Sequence, residues 1–400
     1  NITRWHGPPD AILAAHQSNN SIDVKRGLGS TLTAFVSASG GASVGQYGPL
    51  VHFGATVATF LENFTSKRLP PGIFIGCGVA AAISAGFNAP IAGLVFAHEA
   101  VLRHFSLRAG GAIAISSITA STIGSGVFKE TLGLKIISDA PSLIEIAPIV
   151  LICSPIFGAL AIFFMYSIRL GGKTSKAIRL SPSYQILFAA LICGSIGLFV
   201  PEILGLGTNE MNNIFANQYE IIFLFIILIG KVFMTSLCIG FGFFGGIFAP
   251  ALYVGAAGGG FIANSLIIMG FSLSLPALAL AGTAAVGAVA IGAPIATTLI
   301  ILEFTGSYEF AVAAMIAVQV STFMAHRLYG DSLFDMALND RGFKIGLGRQ
   351  HIQMNDIPLS KILSNEALTF NENLKIKDVN LKMLNKEVTE AVVINSHNKY

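Results

Sequence analysis

Charge is what this chain has least of. Only 11% of its 400 residues are Asp, Glu, Lys or Arg, against roughly 25% in an average soluble domain, while 53% are hydrophobic and the mean hydropathy is +0.71. So little charge cannot cover a water-soluble protein of this size, and the sequence describes an integral membrane protein. A span needs roughly 20 apolar residues. Apolar segments recur near 28–43, 45–62, 71–102, 109–128, 142–168, 183–204, 219–240, 246–269, 273–304 and 310–328, so many spans are expected rather than one anchor.

Cysteine is also sparse. Cys77, Cys153, Cys193 and Cys238 each sit alone in an apolar run without paired spacing, which reads as small core residues rather than as metal ligands or disulfide partners. No set of His, Cys and carboxylates has metal-ligand spacing; His98 adjoins Glu99, but adjacent helix positions face different directions. His52 reads as a packed or pore-rim histidine. No nucleophile-and-base set at usable helical spacing is present, so the protein is not expected to be an enzyme, and no cofactor is required. No signal peptide is evident and the first residue is Asn1, so the expectation is that the natural beginning lies upstream.

What is there is a repeat. Gly45-Gln46-Tyr47-Gly48-Pro49, then Phe87-Asn88-Ala89-Pro90 and Glu99, is echoed by Gly246-Ile247-Phe248-Ala249-Pro250, then Ile291-Gly292-Ala293-Pro294 and Glu303. The first prolines are offset by 201 residues; the second prolines, the glutamates, and Gly78 against Gly282 are offset by 204. Gly and Pro interrupt both copies where a simple span would be continuous. Paired broken helices point to a transport site, because hydrocarbon tolerates the unpaired N–H groups of a helix start only where protein or a watery cavity meets them. Converging helix starts favour an anion.

These motifs resemble the CLC family of chloride channels and proton-coupled chloride transporters. Gly45–Pro49 matches the family's G-x-E-G-P, Gly246–Pro250 its G-x-F-x-P, and Trp5-His6-Gly7-Pro8-Pro9 its G-S-G-I-P, with support from Phe87–Pro90, Gly292-Ala293-Pro294 and Leu302-Glu303-Phe304-Thr305. The resemblance covers roughly residues 4 to 345. It implies an all-α, polytopic membrane fold of two inverted repeats with broken and tilted helices, assembled as a homodimer with one pore per subunit. It implies chloride or a similar small anion as the transported ligand, and membrane lipid but no nucleic acid as partner. The family's first helices, ahead of G-S-G-I-P, would be absent from 1–345. The anion path would be lined by His6, Gly7, Tyr47, Gly48, Gly246, Ile247, Phe248, Ala249 and Phe334. Backbone N–H groups and hydroxyls can hold an anion without trapping it, and glycine lets backbone approach closely.

The departures carry the most information. Tyr47 stands where the resembling transporters place a gating, proton-carrying glutamate, and a phenol is no carboxylate at neutral pH. Ala100, after Glu99, stands where the second, proton-passing glutamate would be. Phe334 matches the tyrosine that offers a hydroxyl to the central anion, and His6 the serine of G-S-G-I-P. The expected function is therefore channel-like anion conduction uncoupled from protons. Tyr47 is the gate candidate: it plugs the outer entrance, swings aside, donates its hydroxyl, or simply packs. His6, an imidazole with an unperturbed pKa near 6.5, either gives acid-enhanced or anion-selective conduction or caps a helix beside Trp5. Glu99 and Glu303 need a partner or a proton in apolar surroundings; helix-end hydrogen bonding or packing at the dimer interface is set against a proton route through Glu99. Lys231 is expected to snorkel to an interface.

The two basic regions, Arg169, Lys173, Lys176 and Arg179 and then His326, Arg327, Arg341, Lys344 and Arg349, are placed in the cytoplasm by the positive-inside rule. The membrane is expected to be the inner or plasma membrane of a prokaryote, with the C-terminus cytoplasmic. Residues 346–400 are richer in charge and resemble a linker and the start of a CBS domain, from Ile357-Pro358-Leu359 to Ala391–Asn395, for which an adenine nucleotide is a possible ligand. Two alternatives remain open: a secondary active anion/proton antiporter with unconventional proton residues, for chloride or for nitrate or fluoride, and a membrane-anchored nucleotide sensor with a vestigial pore.

Overall fold

The computed structural model describes residues 6–17, 22–65, 70–127, 140–178, 180–343, 368–385 and 391–394. Trp5, Arg179, Lys344, Arg349 and Ile357–Leu359, used in the sequence reading, lie outside them. The chain divides into two compact units, Asn1–Arg349 and Gln350–Tyr400.

The first unit is helical. In order come α1 (Pro8–His16), α2 (Val24–Ser39), α3 (Tyr47–Glu62), α4 (Pro71–Phe87), α5 (Pro90–Phe96) with a π-helical extension Ala97–Leu102, α6 (Leu107–Val127), α7 (Leu143–Ala177) and α8 (Pro182–Gly197). A 3-10 turn, Pro201–Ile203, precedes α9 (Thr208–Phe215), α10 (Ile221–Gly240), α11 (Phe248–Ile268), α12 (Leu275–Ile291), α13 (Pro294–Thr305), α14 (Tyr308–Leu328) and α15 (Leu333–Asn339). Among the described residues, four helical stretches are long and apolar enough to cross a membrane: Leu143–Ala177, Ile221–Gly240, Phe248–Ile268 and Tyr308–Asn339. The other helices are shorter except α6, whose 21 residues are less apolar.

The repeat is structural as well as textual. Helices α3 and α11 start 201 residues apart, as do α6 and α14, while α4 and α12, and α5 and α13, start 204 apart. The apolar runs 71–102 and 273–304 are each cut once, at equivalent places. Asn88 and Gly292 close α4 and α12 in the left-handed region, with φ of 52° and 75°, a conformation that Gly and Asn adopt most readily. Ala89 and Ala293 then leave the helical region, with φ of −129° and −132° and ψ of 80° and 68°, because a following proline disfavours the α conformation. Pro90 and Pro294 start the next helices, where a missing N–H costs nothing.

Small residues set the helix spacing. A methyl added at Gly78 would overlap the carbonyl of Gly54 across α3 and α4, and one added at Gly255 would overlap the carbonyl of Gly282 across α11 and α12. Such close backbone approach is how helices associate where hydrophobic driving force is weak.

One sequence expectation is corrected. Lys231 does not snorkel: it is fully buried on α10, and its ammonium donates to the carbonyls of Ile203, Leu204 and Gly205 at 3.2, 3.4 and 2.8 Å. It also lies 4.8 Å from the Tyr253 ring centroid. The turn around Pro201–Ile203 leaves these carbonyls without helical partners, and a buried cation is stabilised by satisfying them. The two basic regions meet acids of this unit: Arg169 lies 3.4 Å from Asp340, and Arg341 3.1 Å from Asp10.

In the second unit β1 (Thr369–Asn371) and β2 (Val392–Ile394) pair in parallel, Phe370 opposite Val393, with α16 (Ile376–Asn385) between them in sequence. A parallel pair requires such a crossover.

Candidate functional site

The segments before α3 and α11 meet first. Gly45 and Gly246 form a two-residue antiparallel bridge in which each N–H donates to the other's carbonyl at 2.7 Å. An added methyl at Gly246 would fall within 2.7 Å of the Gly48 nitrogen, and one at Gly45 within 3.0 Å of the Gly246 oxygen. Only glycine allows this contact. It brings the starts of the two helices, Tyr47 and Phe248, side by side across the pseudo-two-fold relation of the halves.

Tyr47 is buried at this junction. Its ring stacks on Phe87, with centroids 3.6 Å apart and planes 14° apart, and meets the Phe248 ring edge-on at 6.0 Å. Phe87 also lies 5.5 Å from Phe248 and 5.6 Å from Phe304, so the four rings form one cluster. Offset and edge-on ring pairs contribute about 0.5–1.5 kcal/mol each beyond burial. Gly86 leaves room for the Tyr47 ring, which an added methyl would meet at 3.2 Å. Gly48, Ile247, Phe248 and Ala249 are all buried around the same helix starts.

His6 precedes α1. Its N–H donates to Ser30 Oγ, whose hydroxyl donates back to the His6 carbonyl, both at 3.0 Å. The imidazole stacks on His52 of α3 with centroids 6.1 Å apart, and its Nδ1 lies 3.7 Å from Asp10 Oδ1. Gly7 caps α1 and donates its N–H to Asp10 at 3.1 Å, so the Asp10 carboxylate satisfies a free donor at the helix start. Phe334 is buried on α15, which packs on both α1 and α12.

The two glutamates lie on equivalent helices and exchange roles. Glu99 accepts hydrogen bonds from the Ile295 and Ala296 N–H groups at 2.9 and 2.7 Å, at the start of α13. Glu303 accepts from Ile91 and Ala92 at 2.9 and 2.8 Å, at the start of α5. Ala100, next to Glu99, is fully buried. Both sit in the π-helical segment, a rare geometry that recurs at functional places. That segment is closed by Arg103 in the left-handed region, φ 57°, whose guanidinium donates to the Ala100 carbonyl at 2.9 Å and to Asp335 of α15 at 2.8 Å. His98 places Nδ1 3.0 Å from the Leu94 carbonyl and stacks on Phe105, and no group of three or more His, Cys, Asp or Glu able to hold a metal is found among the described residues.

The family described as "Voltage gated chloride channel" matches residues 2–326. The chain belongs to this family. A relative described as "Voltage-gated ClC-type chloride channel ClcB" from Escherichia coli (strain SMS-3-5 / SECEC) is 27% identical over 340 residues, covering 83% of this chain and 80% of its own. Among solved structures, a slow cyanobacterial Cl⁻/H⁺ antiporter superposes with a TM-score of 0.76 at 22% identity, over 85% of this chain and 81% of that one. A CLC-type fluoride/proton antiporter gives 0.69 at 24% identity, over 80% of each. At such identities the structures establish the shared fold: an all-helical, polytopic CLC membrane protein.

Two features of this CLC protein escaped the sequence reading. Phe87 was visible only as part of a helix-breaking motif, whereas its ring is the partner of Tyr47. Arg103 sits in a short polar stretch between apolar runs, and nothing in that stretch points to Asp335, 232 residues away.

Proposed function

We propose that this CLC protein conducts small anions, chloride foremost, down their electrochemical gradient without exchanging them for protons. The path is formed by the starts of α1, α3 and α11 with Phe334 of α15 beside them, one path per subunit of a homodimer. Backbone N–H groups near Gly48, Ile247 and Phe248 supply weak, fixed dipoles for a partly dehydrated anion, which suits binding that must also release, while the Gly7 N–H is taken up by Asp10.

The observation that carries the uncoupled reading is Tyr47 packed against Phe87 and Phe248 at the helix junction. A carboxylate there competes with the anion when charged and carries a proton when neutral; an aromatic ring does neither. Ala100 offers no proton acceptor, and both oxygens of Glu99 and of Glu303 are engaged by backbone N–H groups. The decisive experiment reconstitutes the protein in liposomes, imposes a chloride gradient and records external pH. Chloride flux with no proton movement, reversing at the anion's Nernst potential, supports the proposal; proton pumping at fixed stoichiometry refutes it.

A proton-coupled antiporter is the second reading, favoured by two structural neighbours, a Cl⁻/H⁺ and a fluoride/proton antiporter. The same recording separates the two, and replacing chloride by fluoride or nitrate orders the permeant ions. The tail following residue 345 is proposed to resemble the opening of a CBS domain that takes an adenine nucleotide; titrating the full chain with ATP and following flux tests that role.

A further inference from the structure

Two cysteines that are 45 residues apart in sequence meet in space. Cys193 of α8 and Cys238 of α10 place their sulfurs 3.9 Å apart, with the Cys238 thiol donating to Cys193. Both are buried, 5% and 0% exposed, and both are free thiols. Ser43 Oγ is 3.2 Å from Thr235 Oγ1, one turn before Cys238 on α10. Ser43 belongs to the short segment that carries the Gly45–Gly246 bridge and runs into Tyr47.

We propose that Cys193 and Cys238 are an oxidisable dithiol, converted by hydrogen peroxide to a disulfide that shifts the segment leading to Tyr47 and so changes anion flux. In the first step the thiolate of one cysteine attacks peroxide, the O–O bond breaks, and a sulfenic acid and hydroxide form; the hydroxide takes up the proton that the thiol released. In the second step the other thiol attacks the sulfenic sulfur, the S–O bond breaks and water leaves. Overall two thiols lose two electrons and two hydrogens, and one peroxide becomes two waters. Peroxide is neutral and little larger than water, so it needs no charged route to a buried pair.

A disulfide has its sulfurs about 2.05 Å apart, so both must close inward from 3.9 Å. That movement pulls on α10, where Thr235, one turn before Cys238, holds the Ser43 hydroxyl at 3.2 Å. Ser43, Gly45 and Tyr47 lie within five residues of one another, and the Gly45–Gly246 bridge transmits a shift to both helix starts. Ordinary core packing of two small side chains predicts no such response.

The test uses the full chain in liposomes, on a Cys77→Ser/Cys153→Ser background and in wild type. After hydrogen peroxide, free thiols are blocked with a maleimide under denaturing conditions and peptides are read by mass spectrometry. The expected result is a linked Cys193–Cys238 peptide together with a several-fold change in chloride efflux, both reversed by dithiothreitol. Cys193→Ser, close to isosteric, should keep basal efflux and lose the peroxide response. Recovery of both cysteines as maleimide adducts, a disulfide that leaves efflux unchanged, or an undiminished peroxide response in Cys193→Ser each overturns the proposal. The peptide readout requires no flux, so it stands or falls apart from the conduction mechanism proposed above.

Discussion

Glu99 and Glu303 cap each other's half of the molecule: each carboxylate takes the first two free N–H groups of the helix on which the other stands. The exchange follows from Pro90 and Pro294. A proline-initiated helix still presents unpaired donors at its next positions, and a carboxylate from the equivalent helix is placed to meet them. These two helix starts are thereby neutralised from within, whereas among the described residues no carboxylate contact is found to the starts of α3 and α11, the helix starts assigned to the anion in the proposed function.

Removing one cap should therefore cost stability before it touches transport. Glu303→Ala leaves the Ile91 and Ala92 donors without their acceptor, a loss of about 2–3 kcal/mol on the scale of hydrogen bonds to charged groups, and Glu99→Ala should cost a similar amount by the symmetry. Gln, which keeps one carbonyl oxygen, should recover part of it. Thermal unfolding in detergent measures this. Equal melting temperatures for wild type and both alanine variants would show that the four hydrogen bonds carry no net stability.

Tyr47 should behave as a plug made of packing rather than of charge. Tyr47→Ala removes the ring that stacks on Phe87 and faces Phe248, opening a cavity at the helix junction, and should raise chloride efflux. Tyr47→Phe keeps the ring and should leave efflux near wild type. A rise in both variants would move the gating role from the ring to the hydroxyl, and no rise in either would exclude Tyr47 from the rate-limiting step.

The broken-helix repeat was legible in the sequence because proline and glycine act locally: Asn88-Ala89-Pro90 and Gly292-Ala293-Pro294 dictate their own backbone. The apolar runs likewise follow from counting. What was not legible depends on which distant surfaces meet. Lys231 looked like an interfacial lysine because its helix is uniformly apolar, and only the fold shows that the carbonyls of 203–205 turn toward it. Cys193 and Cys238 have no meaningful spacing in sequence, and Arg103 gives no hint of Asp335. His6, Tyr47 and Phe334 are candidates through matched motifs alone, and the ring that holds Tyr47, Phe87, was hidden inside a motif read only for its helix break.

The glycine contacts give a prediction of the opposite kind, where gain of atoms is harmful. Gly255→Val forces side-chain carbon into the Gly282 carbonyl across α11 and α12, and Gly78→Val does the same to Gly54 across α3 and α4. Overpacking typically costs about 1–3 kcal/mol when a side chain can yield, and here the obstruction is backbone, so both variants should fail to yield monodisperse protein in detergent. Gly172→Val, where nothing lies within 4 Å of an added methyl, is the control and should behave as wild type. Normal size-exclusion profiles for Gly255→Val and Gly78→Val would refute the close-packing account.

Lys231 tests the corrected reading. Lys231→Met keeps the length of the apolar stem but leaves the carbonyls of Ile203, Leu204 and Gly205 without their shared donor in a buried place. Unsatisfied buried polar groups cost about 1–3 kcal/mol each, so the variant should melt at clearly lower temperature. Lys231→Arg retains the charge and donors and should fall between the two. A Lys231→Met protein as stable as wild type would mean that water reaches those carbonyls.

His6 offers the one pH-dependent prediction. The imidazole stands before α1, close to Asp10, which in turn meets Arg341. Protonation adds a positive charge where the proposed path begins, while a neutral ring offers only a single N–H donor. Chloride conduction by the wild type should therefore rise as pH falls through roughly 8 to 5. His6→Gln, which keeps an amide donor that does not titrate, should hold conduction at its neutral-pH level across the range, and His6→Ala should be equally flat. A wild-type profile without the rise, or the same rise in His6→Gln, would assign the histidine to holding α1 against Ser30 and His52 rather than to the anion.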